Sequence, residues 1–167
     1  MATRIVIVSD THCREWDEVH PDIRREVAEA DIAIHCGDFT GQNVVQGMRD
    51  NAKRAVVVHG NSDPPDLRSS TPYVEVLEVE GHRIGVTHPA WGGPEFPLEE
   101  LFPDFPEPVD VIVFGHFHET TNEKRDGVLF VNPGQGYKSF MVSATIAVLT
   151  VDGEKLDAEI KVIEPGR

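Results

Sequence analysis

Apolar positions along the chain follow two periods, and the first half alternates between them. Ile5, Val6, Ile7 and Val8 make a continuous β-branched run, the pattern of a strand covered on both faces. Residues 21–29 read as a short helix, with Pro21 suited to its first turn. Residues 31–36 form a second apolar strand, 42–50 a second helix and 55–59 a third strand. This β-α-β-α-β order predicts parallel strands joined by right-handed crossovers.

The second half is richer in strands. Residues 73–80 set Val74, Val76, Leu77 and Val79 against Glu75, Glu78 and Glu80, and Gly81-His82 turns them into residues 83–87 as a hairpin. Residues 109–114 read as a buried strand, and 128–131, 143–151 and 158–163 as further strands, with turns at Gly127 and Asp152-Gly153. Residues 89–108 stand apart, because six of the 12 prolines (89, 94, 97, 103, 106 and 108) fall there with Gly92-Gly93. Such a segment cannot be a regular helix or central strand throughout, and reads as a lid over a site or a surface excursion. With 167 residues, 40% of them hydrophobic, and no linker, repeat or low-complexity tract, one domain spanning 1–167 is expected.

Composition narrows the partners. No apolar run approaches bilayer length. The run at 5–8 is too short for a signal-peptide core and lacks a cleavage site behind it, so the protein is expected in the cytoplasm. A formal charge of −14 argues against nucleic acid or anionic membrane as the main partner. The 29 acidic residues face only five lysines (53, 124, 138, 155 and 161). That balance fits a halophile's surface and, equally, a mildly acidic mesophilic one. Cys13 and Cys36 make no disulfide framework. Cys36 reads as a buried small hydrophobe. Cys13 beside His12 reads as a loop residue, with a soft extra metal ligand as the alternative.

The chemistry lies just past the end of each apolar strand. Asp10 and His12 come after the first, Asp38 after the second and Asn61 after the third; His88 comes after the hairpin, and His116 and His118 after 109–114. Sites in open α/β sheets form outside the carboxyl ends of strands, so the topology can bring these groups together. Carboxylate, imidazole and amide oxygen suit Mn, Fe, Ni, Zn or Co. A carboxylate shared by two such ions, with a bridging hydroxide as nucleophile, is a common hydrolytic arrangement. Singly, each motif has a plainer reading: a solvated turn for Asp-x-His, a turn for Gly-Asp, a cap for Asn61, a core histidine for His88, two alternate side chains on a strand end for His116 and His118. Their joint order carries the argument. Of the other histidines, His35 and His59 read as core groups or supports of the ligands, and His20 and His82 as surface residues.

These motifs resemble the calcineurin-like metallophosphoesterase family: Asp10-Thr11-His12, Gly37-Asp38, Gly60-Asn61, His88 and Gly115-His116-Phe117-His118. Asn132-Pro133-Gly134 is similar to the family's small archaeal and bacterial phosphodiesterases, and to the eukaryotic retromer subunit of the same branch. The resemblance runs from residue 5 to about 135. It implies an α/β fold, a four-layer α/β/β/α sandwich of two mixed sheets flanked by helices. It implies one metal on Asp10, His12, Asp38 and His118, and a second on Asp38, Asn61, His88 and His116. Asp38 then bridges two divalent ions, manganese before Ni, Fe, Zn or Co, and Asn61 also contacts the substrate phosphate. Ser62 stands where many members carry a proton-donating His, a lack shared by the small-phosphodiesterase branch. Pro89 comes after His88 where Gly is frequent, which alters the loop around the second metal. Asp63 is expected to orient a neighbouring ligand.

The expected activity is phosphodiester hydrolysis of a small phosphate ester. The alternatives are a phosphomonoesterase or nuclease on the same site, or a catalytically silent scaffold of the same fold. A homodimer or higher homo-oligomer is compatible with each. If the acidic surface is halophilic, stability rises with salt, since screening tightens from about 10 Å at 0.1 M to about 3 Å at 1 M. Melting temperature measured from low to molar salt checks this, and a flat profile removes the halophilic reading.

Overall fold

The computed structural model describes residues 2–89 and 97–166. Two five-stranded mixed sheets pack face to face. The first has strand order β10-β9-β1-β2-β3 and the second β4-β5-β6-β8-β7. The strands are β1 (Thr3–Val8), β2 (Ile32–His35), β3 (Ala55–Val57), β4 (Val74–Val79), β5 (His82–Thr87), β6 (Val111–Phe114), β7 (Thr120–Arg125), β8 (Val128–Pro133), β9 (Ala144–Asp152) and β10 (Lys155–Glu164). The helices are α1 (Pro21–Glu29), α2 (Gln42–Asn51) and α3 (Pro65–Ser70), with short 3-10 segments at Trp16–Glu18 and Leu98–Asp104. No helix among the described residues is long and apolar enough to cross a membrane.

The apolar runs explain the layering. On β1, Ile5 and Ile7 face the space between the sheets, where they meet Ile84, Val86, Val111 and Val113 of the second sheet. Val6 and Val8 point the other way, onto Ile23 and Val27 of α1 and Val44, Val45 and Met48 of α2. Strands β1, β2 and β3 run parallel, with Ile5 opposite Ile32 and Ala33 opposite Ala55, as the β-α-β-α-β order required. In the second sheet β5, β6 and β8 are likewise parallel, while β4 and β7 flank them antiparallel.

Several elements differ from the sequence expectation, for physical reasons. β7 is an edge strand with the polar sequence Thr120-Thr121-Asn122-Glu123-Lys124-Arg125, so it carries no period-two apolar signal. Its pairing with β8 through Asp126-Gly127 creates the strand. α3 offers only Leu67 to the core, and Pro65 at its start reads equally as a loop. The first hairpin turns at Glu80-Gly81, both with positive φ, so His82 already belongs to β5.

Within the proline-rich segment, residues 97–108 supply the outermost layer of the second sheet. Leu98, Leu101 and Phe105 are buried against Ile112, Phe114 and Phe130. Pro94 and Gly92-Gly93 lie outside the described residues. If this segment is core, Leu101→Ala destabilises the fold by about 2–5 kcal/mol, as other buried leucines do. Urea unfolding checks this, since truncating a lid residue leaves the midpoint unchanged.

Candidate metal centre

Every parallel strand in both sheets ends at one edge of the sandwich, and each delivers a polar group there. β1 leads to Asp10 and His12, β2 to Asp38, β3 to Asn61, β5 to His88 and β6 to His116 and His118. β8 leads to Gln135, which no sequence motif singles out. The backbone at this edge is strained: Asp10, His12, Asp38, His116 and His118 all have positive φ. Such clusters mark sites where the fold overrides local preference. β6 ends at Phe114, so His116 and His118 converge through loop geometry rather than as alternate residues of a strand. Phe117 between them packs against the outer core and anchors the loop.

One ligand atom from each of Asp10, His12, Asp38 and His118 lies within 4.8 Å of the others. His118 Nε2 is 3.3 Å and His12 Nε2 3.9 Å from Asp10 Oδ1. A second group adjoins the first. His88 Nε2 is 2.9 Å and His116 Nδ1 3.1 Å from Asn61 Oδ1. Asp38 Oδ2 belongs to both groups, 3.7 Å from His12 Nε2 and 3.4 Å from His88 Nε2. The seven residues expected as ligands are thus all brought together. Cys13 is not in the cluster of Asp10, His12, Asp38 and His118, and its thiol donates to the Thr11 carbonyl at 3.2 Å.

Hydrogen bonds from surrounding groups aim these side chains. His88 Nδ1 lies 2.7 Å from the Cys36 carbonyl, which can only accept, so Nδ1 carries the proton and Nε2 offers its lone pair. This anchoring holds despite Pro89. Gln135 Nε2 donates to the Tyr137 carbonyl at 2.6 Å, which turns Gln135 Oε1 toward His118 Nδ1 at 3.0 Å and leaves His118 Nε2 for the centre. Asp63 accepts from the backbone N–H of Asp38, Gly60 and Thr40, which ties the β2 loop to the β3 loop as expected of it. His35 accepts from Gly37 N and meets Thr11 Oγ1 at 3.0 Å, and burial holds it down at about 4, a neutral strut. Ser9 donates to Asp10 Oδ2 at 2.6 Å, a contact that no sequence motif announced. His59 is half-buried and bonded to the Thr71 carbonyl, beside a cavity of about 160 Å³ shared with Asn61, Arg68 and His88. His20 and His82 are half-buried too: His20 caps α1, and His82 reaches the Gly153 carbonyl.

The motif glycines permit the close approach. A Cβ on Gly60 would collide with Asp38 Oδ1, and one on Gly115 with Ser9 Oγ and Asp10.

The residues fit a cation. Asp10 Oδ1 is buried with no hydrogen-bond partner, an uncommon and costly state for a carboxylate oxygen. Burial raises the Asp10 carboxyl, but the imidazoles of His118 and His12 outweigh it and hold the group ionised. Asp38 is lowered in the same way, with burial opposing and His88 prevailing. With its Nδ1 proton committed, a neutral His88 turns a bare Nε2 toward the oxygens of Asn61 and Asp38. That contact calls for a proton or a metal ion between them.

A family model, the calcineurin-like phosphoesterase superfamily domain, matches residues 3–154. The chain belongs to this superfamily. A probable metallophosphoesterase of Methanocaldococcus jannaschii is 32% identical, the match covering 96% of this chain and 81% of the relative. A phosphodiesterase of the same organism is 27% identical over 96% of this chain and 99% of its own. The vacuolar protein sorting 29 structure of Cryptosporidium parvum superposes with a TM-score of 0.76 at 19% identity, covering 98% of each chain, which shows a shared fold. Membership of a metallophosphoesterase family implies divalent metal ions, and the ligand cluster at the sheet edge is where the chain can hold them.

Asp38→Asn removes the one charge that both ligand groups share. Metal content measured after dialysis against manganese is expected to collapse while circular dichroism stays native. Full retention of metal removes Asp38 from the ligand set.

Proposed function

We propose that the chain is a cytoplasmic phosphodiesterase built as one domain, with two divalent ions, manganese foremost, at the sheet edge. Asp10, His12, Asp38 and His118 hold one, and Asp38, Asn61, His88 and His116 hold the other. The observation that carries this reading is Asp38 Oδ2, which faces His12 of one group and His88 of the other. When bound, two such ions polarise phosphoryl oxygens and acidify water enough to make it a nucleophile at neutral pH.

The protein's own residues set the terms of the reaction. Asp38 Oδ1 accepts from Ser62 N at 2.7 Å, which fixes the plane of the shared carboxylate. Asn61 stands beside His88 and His116, where its amide can also meet a substrate oxygen. The net charge of −14 favours a monoanionic diester over a dianionic monoester and opposes long nucleic acids. The relative named a phosphodiesterase supports the same choice. The full set of ligand side chains supports an enzyme over a silent scaffold.

Ser62 contributes its backbone N–H to Asp38, and its hydroxyl is a poor acid near neutral pH. With Ser62 in the position of the general acid, that position forgoes a contribution of about 10²–10⁴-fold for poor leaving groups. Log kcat/KM for substituted phenyl diesters is therefore expected to fall steeply as leaving-group pKa rises, with Ser62→Ala nearly silent. A flat line with chemistry rate-limiting means that another side chain donates the proton, and His59 beside Asn61 is then the one to replace.

A further inference from the structure

Among the described residues, the large apolar side chains left exposed are Phe140 (81%), Met141 (70%), Val142 (37%) and Val162 (55%). Met141, Val142 and Val162 line one cleft of about 480 Å³, and Phe140 precedes Met141 on the same turn. The cleft lies between Thr120 at the start of β7, Thr145 near the start of β9 and Ile160 of β10, and His118 of the metal centre forms part of its wall. Its volume falls within the roughly 300–1,000 Å³ of small-molecule sites. We propose that this cleft is a subsite for an uncharged apolar substituent, aryl or branched alkyl, on the ester whose phosphoryl group sits at the metal centre. The proposal rests on the phosphoesterase reading of that centre and adds the chemical class of what the phosphoryl group carries.

Three observations support this occupant. The first is continuity with the centre. Ser139 and Val142 close the turn with paired backbone hydrogen bonds. Gln135 Nε2 donates to Ser139 Oγ at 3.0 Å while Gln135 Oε1 holds His118 Nδ1. The turn that carries Met141 and the ligand His118 are therefore parts of one hydrogen-bonded unit. The second is charge. Among the described residues, Glu119 is the carboxylate of the lining, and no Lys or Arg accompanies it. Lys161, between Ile160 and Val162, is committed to Glu26 on α1, and Lys138 to Glu164. A second phosphate or a carboxylate would meet Glu119 with no Lys or Arg among the described residues to offset it, a repulsion a neutral ring does not meet. The third is geometry. Met141 holds a φ of +66°, a conformation L-residues rarely adopt, at the tip of the turn. A polar residue or glycine is the usual choice there, so an exposed methionine at this cost indicates a contact to be made.

The test uses metal-loaded wild type, Val162→Glu and Met141→Gly. The first variant adds a charge at an exposed position. The second removes the side chain from a backbone that glycine adopts freely. Calorimetry measures binding of phenyl phosphate and methyl phosphate, with metal content and sedimentation monitored in parallel. Wild type is expected to prefer phenyl phosphate by about tenfold, the scale of one apolar contact in a pocket. Both variants should lose most of that preference while binding methyl phosphate and metal as wild type does. An unchanged phenyl-to-methyl ratio in both variants overturns the proposal. So does a shift from oligomer to monomer with the ratio intact, which would make the patch an interface between copies. A wild type that turns over no ester yet keeps its preference for phenyl phosphate overturns the catalytic reading and upholds the cleft.

Discussion

Two carboxylates buried at the ends of neighbouring parallel strands set the terms for everything around them. Asp10 ends β1, Asp38 ends β2, and neither has appreciable access to solvent. Two like charges stripped of water repel and lose hydration, so the same edge must offer groups that answer them. His12, His88 and His118 each place a ring nitrogen within 4 Å of a carboxylate oxygen. Even then Asp10 Oδ1 lacks a hydrogen bond, so the protein alone leaves the balance incomplete. A divalent cation held there would complete it.

The sandwich makes this concentration of polar groups tolerable. The inter-sheet core, with Ile5, Ile7, Ile34, Ile84 and Val113, fixes both sheets so that their parallel strands end together. That rigidity holds several left-handed non-glycine residues at the edge. Supporting groups then remove the remaining freedom: Asp63 across three backbone N–H groups, His35 between Thr11 and Gly37, and Gln135 behind His118.

The surroundings of the centre are not symmetric. On the Asn61 side, a small cavity is lined by His59, Arg68 and Tyr73. On the His118 side, the larger cleft sets Met141, Val142, Ile160 and Val162 beside Glu119, Thr120, Ser143 and Thr145.

The sequence by itself determined which strands are buried and in what order, because continuous β-branched runs such as Ile5 to Val8 suit only a strand covered on both faces. It also determined the candidate ligands, because Asp, Asn and His recur just after apolar strands. What it left out are groups without a local signature. β7 is polar along its length and exists through its ladder with β8. Ser9 and Gln135 are ordinary in sequence and matter through contacts to Asp10 and His118. In the proline-rich segment, the packing of Leu98, Leu101 and Phe105 on the outer face of the second sheet has no period to announce it. Only the tertiary structure decided that Asp38 Oδ2 faces both ligand groups, and that a cleft with exposed apolar walls adjoins His118. Periodicity records which face of an element is apolar. The meeting of loops from two sheets depends on packing across the whole core.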